Sequence, residues 1–401
     1  MKSDSFQWIC RSLAHICLLG AGWGLSAATL GNIEQPAWQT AGPRVSQEHF
    51  LVELPVETLA KKIYVTVEIG GVPRRFLFDT GSPSMISAAL VAELGLPVVG
   101  KSMGTDSHGV VIESEVVQAN LELDGVVFEK VPMFAADFSS SEVAQCLLGD
   151  GILGSELLPL CAWQMDLQSS ILRCASDLEQ LPHIKAADRQ KLSSFGYPHT
   201  PFLDIRLGRR ARSLAMFDTG SAPLFVISPP DLNGAEKAGG ISARTTGVGS
   251  AGTSLGGQAP CRPQQKVRLK NLSVGELKQG SVSAMRRSIA PSLIGATLLD
   301  RYVVTLDIRT GAAYLDRYSR KPMNPSSFGF ALAFEDGAHV SLLWDDSPAT
   351  VVGLDLGQKI LSVNGVPTNS SCASIQQTLN DLAQERIELE WPGGSAVIER
   401  Q

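Results

Sequence analysis

The sequence predicts a mainly β chain, built as two equivalent lobes and followed by a small α+β module. Three observations carry this. The string Phe-Asp-Thr-Gly-Ser occurs at Phe78 to Ser82 and again at Phe217 to Ser221. About 75 residues after each Asp come two apolar residues and a glycine, Ile152-Leu153-Gly154 and Leu293-Ile294-Gly295. The 38 glycines and 22 prolines among 401 residues suit many short strands joined by turns.

The elements of the repeat follow in order. Each copy opens with a strand-like alternation, Ile63, Val65, Val67, Ile69 in the first and Leu203, Ile205, Leu207 in the second. A turn follows, Gly70-Gly71 or Gly208-Arg209, and then a short apolar strand delivers the Asp: Phe76-Leu77-Phe78 or Leu214-Ala215-Met216-Phe217. Both late glycines precede a leucine pair, Leu157-Leu158 or Leu298-Leu299. A hairpin comes next, Trp163 to Leu167 or Val303 to Ile308. A period near 140 residues is too long for a solenoid and reads as two lobes.

Two equivalent carboxylates on two equivalent tight turns suit one chemistry. Like charges about 3 Å apart cannot both ionise, so a pair of Asp side chains holds one proton. Such a pair acts as base toward a water and as acid toward a scissile peptide. These residues resemble the retropepsin/pepsin superfamily of aspartic proteases, over roughly residues 48–318. The resemblance implies tandem retropepsin-like β-barrel lobes with Asp79 and Asp218 as the catalytic pair. It implies that Thr80 and Thr219 lock the two turns together and that Gly81 and Gly220 allow close backbone approach. Gly154 and Gly295 would brace the turns from behind. Ser82 and Ser221 would donate outer hydrogen bonds to the carboxylates. Such bonds favour the ionised form, so an acidic or mildly acidic optimum is expected.

In this family a β-hairpin flap closes over the substrate, and in pepsins it carries a tyrosine. The window Met103 to Val111 contains none, and its flap candidates are Gly104, His108 and Gly109. The second half has an equally glycine-rich window, Gly247 to Ser254, with Gly249 and Gly252. Two such flaps look more like a fused retroviral-type dimer than a pepsin.

The last 75 or so residues differ in pattern. Ser327-Phe328-Gly329-Phe330 precedes Ser347-Pro348-Ala349, a run from Lys359 to the Asn364-Gly365 turn, and helical spacing at Ile375, Leu379 and Leu382. This order is similar to PDZ domains. The resemblance implies that the amides of Phe328, Gly329 and Phe330 capture a partner's C-terminal carboxylate while its strand adds to a sheet edge.

The expected boundaries are a signal segment at 1–28, lobes at 29–175 and 200–318, a polar connector at 176–199, and the module at 326–401. Residues 29–47 read as an extended lead-in. Lys2 and Arg11, the apolar run from Leu13 to Leu25 and Ser26-Ala27-Ala28 predict export, to a periplasm first and by secretion next. An uncleaved anchor is the route by which a membrane would enter. Five cysteines follow residue 28. Cys161 and Cys174 flank a hairpin as either a disulfide or two buried thiols, and the odd count leaves at least one thiol unpaired.

A net charge of −6 argues against a nucleic-acid partner. No His/Cys spacing suggests a metal site, and the proposed chemistry needs neither metal nor cofactor. The expected partner is a polypeptide substrate, with protein C-termini at the PDZ-like groove. The alternative is a periplasmic adaptor that binds peptides without cutting them.

Overall fold

Strand pairing reproduces the sequence repeat. The computed structural model describes residues 36–140, 142–208, 210–320 and 326–401. The predicted signal segment and residues 321–325 of the last linker lie outside them. In the first lobe Lys62–Ile69 pairs antiparallel with Val72–Phe78; in the second Phe202–Leu207 pairs with Arg212–Asp218. On its other edge each Asp strand runs parallel to the strand carrying the matched glycine. Gly151–Leu153 lies beside Phe76 to Phe78, and Ser292–Gly295 beside Ala215 to Asp218. Phe76, Leu77 and Phe78 are all buried. A run of three rather than an alternation is what a strand covered on both faces requires.

The two late hairpins join the lobes. Ala162–Asp166 pairs with Ile171–Ala175, and Tyr302–Asp307 with Ala312–Arg317. They then pair with each other through Trp163, Gln164 and Met165 opposite Leu306, Thr305 and Val304. A continuous apolar core runs through this junction. Trp163 is fully buried, its ring centroid 5.2 Å from that of Phe78, and its indole N–H donates to Leu157 O at 3.0 Å. Burial of an aromatic of this size stabilises by about 1.5–3 kcal/mol provided the polar N–H is paired.

Two expectations change. Part of the connector at 176–199 is strand, since Asp188–Ser193 pairs with both Ala312–Arg317 and Phe202–Leu207. Only Gln190 and Leu192 of that strand are buried, too short an alternation to read from sequence. The lead-in is not simply extended: Ala37–Ala41 is a short helix whose buried Trp38 packs edge-on against Phe134 and Tyr197.

The last 75 or so residues have their own core, including Phe334, Ile360, Ile375 and Leu389. Phe330–Ala333 pairs with Ala338–Trp344, and Asn364 and Gly365 both have positive φ (51° and 76°), the two-residue hairpin turn expected. The helix Cys372–Asp381 is capped by Ser371, which accepts from Ser374 N at 3.3 Å. A hairpin closes the chain, Arg386–Trp391 with Gly394–Glu399. Cys161 and Cys174 form a disulfide. A second, Cys146 to Cys372, ties the first lobe to this module, and Cys261 is free and exposed.

Candidate active site

Asp79 follows the buried run Phe76 to Phe78, Asp218 ends the strand Arg212–Asp218, and the two meet at the lobe junction. Their turns interlock through the following threonines, both fully buried. Thr80 Oγ1 donates to Phe217 O at 2.6 Å and accepts from Thr219 N at 3.2 Å. Thr219 Oγ1 donates to Phe78 O at 2.8 Å and accepts from Thr80 N at 3.1 Å. Four bonds thus cross between the lobes within one turn of each Asp. Gly81 lies against the Asp218 carboxyl and Gly220 against that of Asp79, so close that a Cβ on either would fall within 2.5 Å of a carboxyl atom. Main-chain N–H groups orient the carboxyls: Gly81 N donates to Asp79 Oδ1 at 2.9 Å and Ser221 N to Asp218 Oδ1 at 3.1 Å.

The late glycines sit behind these turns. A Cβ at Gly154 would lie 2.2 Å from Ser84 N, and one at Gly295 2.1 Å from Pro223 O. Any side chain there would push the Asp turn forward. Ser155 N donates to Ser82 O at 2.9 Å and Ala296 N to Ser221 O at 2.7 Å, so the brace is also hydrogen-bonded.

The serines depart from expectation. Ser82 Oγ is buried without a hydrogen-bond partner. Ser221 serves through its backbone N–H rather than its hydroxyl. With those outer bonds missing, the argument for depressed carboxylate pKa values loses its basis. Burial, then the charge and hydrogen bond of Asp79, instead hold the Asp218 carboxyl well above the ordinary carboxylate range. Lys62 and Arg287 oppose this in part. The two carboxyls titrate as a pair that holds one proton between them.

Two residues at the site escaped the sequence reading. Lys62 Nζ donates to Gly220 O at 2.7 Å, a contact from the first lobe to the second Asp turn. Glu156 is buried behind the first turn, accepting from Ser84 N at 2.7 Å and from Tyr197 Oη at 2.8 Å. Burial pushes its pKa up to about 7. Neither lies in a duplicated motif, and the partners are 158, 72 and 41 residues away.

Both flap windows are hairpin tips over the Asp pair. In the first, Val98–Thr105 pairs with Val111–Leu123, and Gly109 occupies the turn with φ 86°. Asp106 shapes that turn by accepting from His108 N and Val110 N through one oxygen, at 2.9 and 2.8 Å. Its other oxygen accepts from the Ser254 hydroxyl and from Gly256 N, so the two flaps are tied tip to tip. His108 bonds the Gly252 backbone, and burial holds its imidazole below the usual range. Gly104 lies in an exposed stretch of flap strand with open space around it.

The second flap is held from outside. Its strand Ile241–Gly249 pairs with Ala338–Trp344 of the last module, through Gly247, Val248 and Gly249 opposite Trp344, Leu343 and Leu342. Ser250 N donates to Ser341 O at 2.7 Å, Asp345 N to Thr246 O at 2.9 Å, and the Thr246 hydroxyl to the Asp345 carboxylate. The Lys266 ammonium lies 4.2 Å from the Trp344 ring centroid. Among the described residues no group of three or more His, Cys, Asp or Glu side chains is arranged to hold a metal ion.

In the module loop, Gly329 has φ 88° and its N–H already donates to Ser327 Oγ at 3.0 Å. One of the three amides expected to face a carboxylate is therefore engaged.

Residues 65–157, from the strand before the first Asp to the leucine pair behind it, match a family model of aspartyl proteases. The first lobe is similar to aspartyl proteases. Among solved structures, the aspartic proteinase from Irpex lacteus is 13% identical, over 67% of this chain and 98% of that one, with a TM-score of 0.42. Basic 7S globulin from soybean is 10% identical, over 67% and 95% of the two chains, with a TM-score of 0.41. Comparison with curated proteins finds no match.

Proposed function

We propose that this chain is an aspartic endopeptidase that hydrolyses extended polypeptides in the cleft between the flaps and the Asp pair. The observation that carries the reading is the crossed threonine lock, which holds two carboxyls face to face on matched turns. One ionised and one protonated Asp polarise a water for attack on the scissile carbonyl. The pair then protonates the leaving amine, so no covalent intermediate forms. The pair shares one proton, so one carboxyl donates it while the other accepts that of the water.

The last module is read as a PDZ-like recognition unit. In support, Phe330–Ala333 is an edge strand with one paired side, open to addition of a peptide strand. The two disulfides support an exported protein. The test is digestion of a denatured protein across pH 3–8 by wild type and Asp79→Asn, with and without a statine-type inhibitor. Cleavage lost in the variant and on inhibition is expected. Equal cleavage by the variant would refute the mechanism, and no cleavage by folded wild type would favour a peptide-binding adaptor.

A further inference from the structure

A cavity of about 640 Å³ opens beside Asp218, under the second flap. It is lined by three arginines: Arg262 from the flap strand, and Arg286 and Arg287 from the end of the strand Leu277–Arg286 and the loop after it. Several arginines elsewhere pair with acids, as Arg44 with Glu129, Arg173 with Asp166 and Glu53, and Arg309 with Asp307. Among the described residues none of the three cavity arginines has a carboxylate within ion-pair distance, and the cavity's own carboxyl is Asp218 of the catalytic pair. Arg287 is half-buried and fixed in direction by donating to Pro291 O at 2.8 Å. Three positive charges converge here although the chain as a whole carries −6. Val226, Met285 and Leu293 supply an apolar surface in the same cavity.

Guanidinium groups without an acid, set above an apolar floor, suit a short aliphatic chain ending in a carboxylate. The first lobe offers no equivalent. Its corresponding strand Val126–Ala136 leads into Asp137 and Glu142 rather than arginines. The feature is one-sided, so it selects at one position of a bound peptide.

We propose that this cavity is a specificity subsite for an acidic side chain, Glu or Asp, at one fixed position next to the scissile bond. The inference rests on the peptidase reading for its position in the cleft, but the acid-binding surface itself does not need catalysis. Burial of the substrate carboxylate among Arg262, Arg286 and Arg287 then favours Glu over its isostere Gln. A charge-assisted contact of this kind discriminates by about tenfold or more.

The experiment uses a set of octapeptides in which a single Glu, or the matched Gln, is moved through every position. Cleavage by the full chain is followed by mass spectrometry, and binding to Asp79→Asn by fluorescence anisotropy. Expected is a Glu-over-Gln ratio in kcat/KM of about ten or more at one position. The ratio should fall toward one in Arg287→Gln and in Arg262→Gln, and be retained in Arg287→Lys. If the arginines merely tune the charge state of Asp218, both peptides change together and the ratio stays constant. That result, or indifference to charge at every position, overturns the proposal. Should no peptide be cut, the binding arm decides: a Glu preference lost in the arginine variants upholds the acidic subsite while the peptidase reading falls, and equal binding of Glu and Gln peptides overturns the subsite.

Discussion

Replacing Thr80 by Val tests whether the crossed threonine lock holds the site together. Val matches Thr in shape, so no cavity opens at this fully buried position. What is lost is the hydroxyl, which donates to Phe217 O and accepts from Thr219 N. Each buried group deprived of its partner costs roughly 1–3 kcal/mol, so destabilisation of roughly 2–6 kcal/mol is expected. Thr80→Ser keeps both bonds, loses one methyl and should cost roughly 1 kcal/mol. Urea denaturation followed by the fluorescence of buried Trp163 measures both, with kcat determined in parallel. Because the lost bonds join the two Asp turns, kcat of Thr80→Val should fall by far more than that of Thr80→Ser. Thr219→Val should behave alike, and the double variant should depart from the sum of the two single changes, since the neighbouring threonines belong to one hydrogen-bond network. A Thr80→Val protein within about 0.5 kcal/mol of wild type and with full kcat would refute the reasoning, because changes that small are those of sites outside any structural feature.

Three further outcomes are expected. The Lys62 ammonium lowers the pKa of Asp218, so Lys62→Gln should move the alkaline limb of kcat/KM to higher pH, as a pH–rate profile will show; an unmoved or acid-shifted limb would contradict it. Glu156 has a folded-state pKa raised from 4.5 to about 7, so the stability it contributes is full below about pH 4.5 and is lost as pH rises through 7, a difference of roughly 3 kcal/mol. Glu156→Gln, whose amide can still accept from Ser84 N and donate to Tyr197, should flatten that window in denaturation curves taken from pH 4 to 8. Gly249 has φ 143° and no room for a Cβ, which would lie 2.2 Å from Ser341 O, so Gly249→Ala should break the second flap from the module. Hydrogen exchange at Gly247 to Ser250 should then accelerate while the interlobe strands stay protected, and unchanged protection would show that the flap is held by other contacts.

What the sequence disclosed and what it hid divide along sequence separation. Asp79, Thr80 and Gly81 could be read because the motif is local and repeated at Asp218, Thr219 and Gly220; the braces at Gly154 and Gly295 could be read by the same repetition. The flaps followed from glycine-rich turns. The Ser82 hydroxyl shows the limit even inside a motif, since the residue type is right but its orientation leaves it unpartnered. The contacts Lys62 to Gly220, Cys146 to Cys372, and Gly247–Gly249 to Leu342–Trp344 join residues about 95 to 226 apart and belong to no repeat. A disulfide in particular has no local pattern, because its geometry is set by where two elements dock. The strand Asp188–Ser193 was hidden for a different reason: with two buried positions it carries too little alternation to stand out from a polar connector.

The duplication matters because it permits asymmetry. In a symmetric pair of lobes both Asp carboxyls would see the same surroundings, and neither would be favoured to hold the proton. Here the first lobe sends Lys62 to the second Asp turn, while the position corresponding to Lys62 is Thr200 in the second lobe. Glu156 braces one turn through a carboxylate, and Thr297 braces the other by donating to Ala222 O at 2.7 Å. One flap is clamped by the last module and the other is tied through its tip to its partner. Three arginines line the cavity beside Asp218. Lys62 and Arg287 act on Asp218 and Glu156 on the turn of Asp79, so two copies of one motif sit in unlike surroundings. Under the proposed peptidase reading, a peptide bound across the site would meet different chemistry at its two ends, which is what selection of a single cleavage register requires.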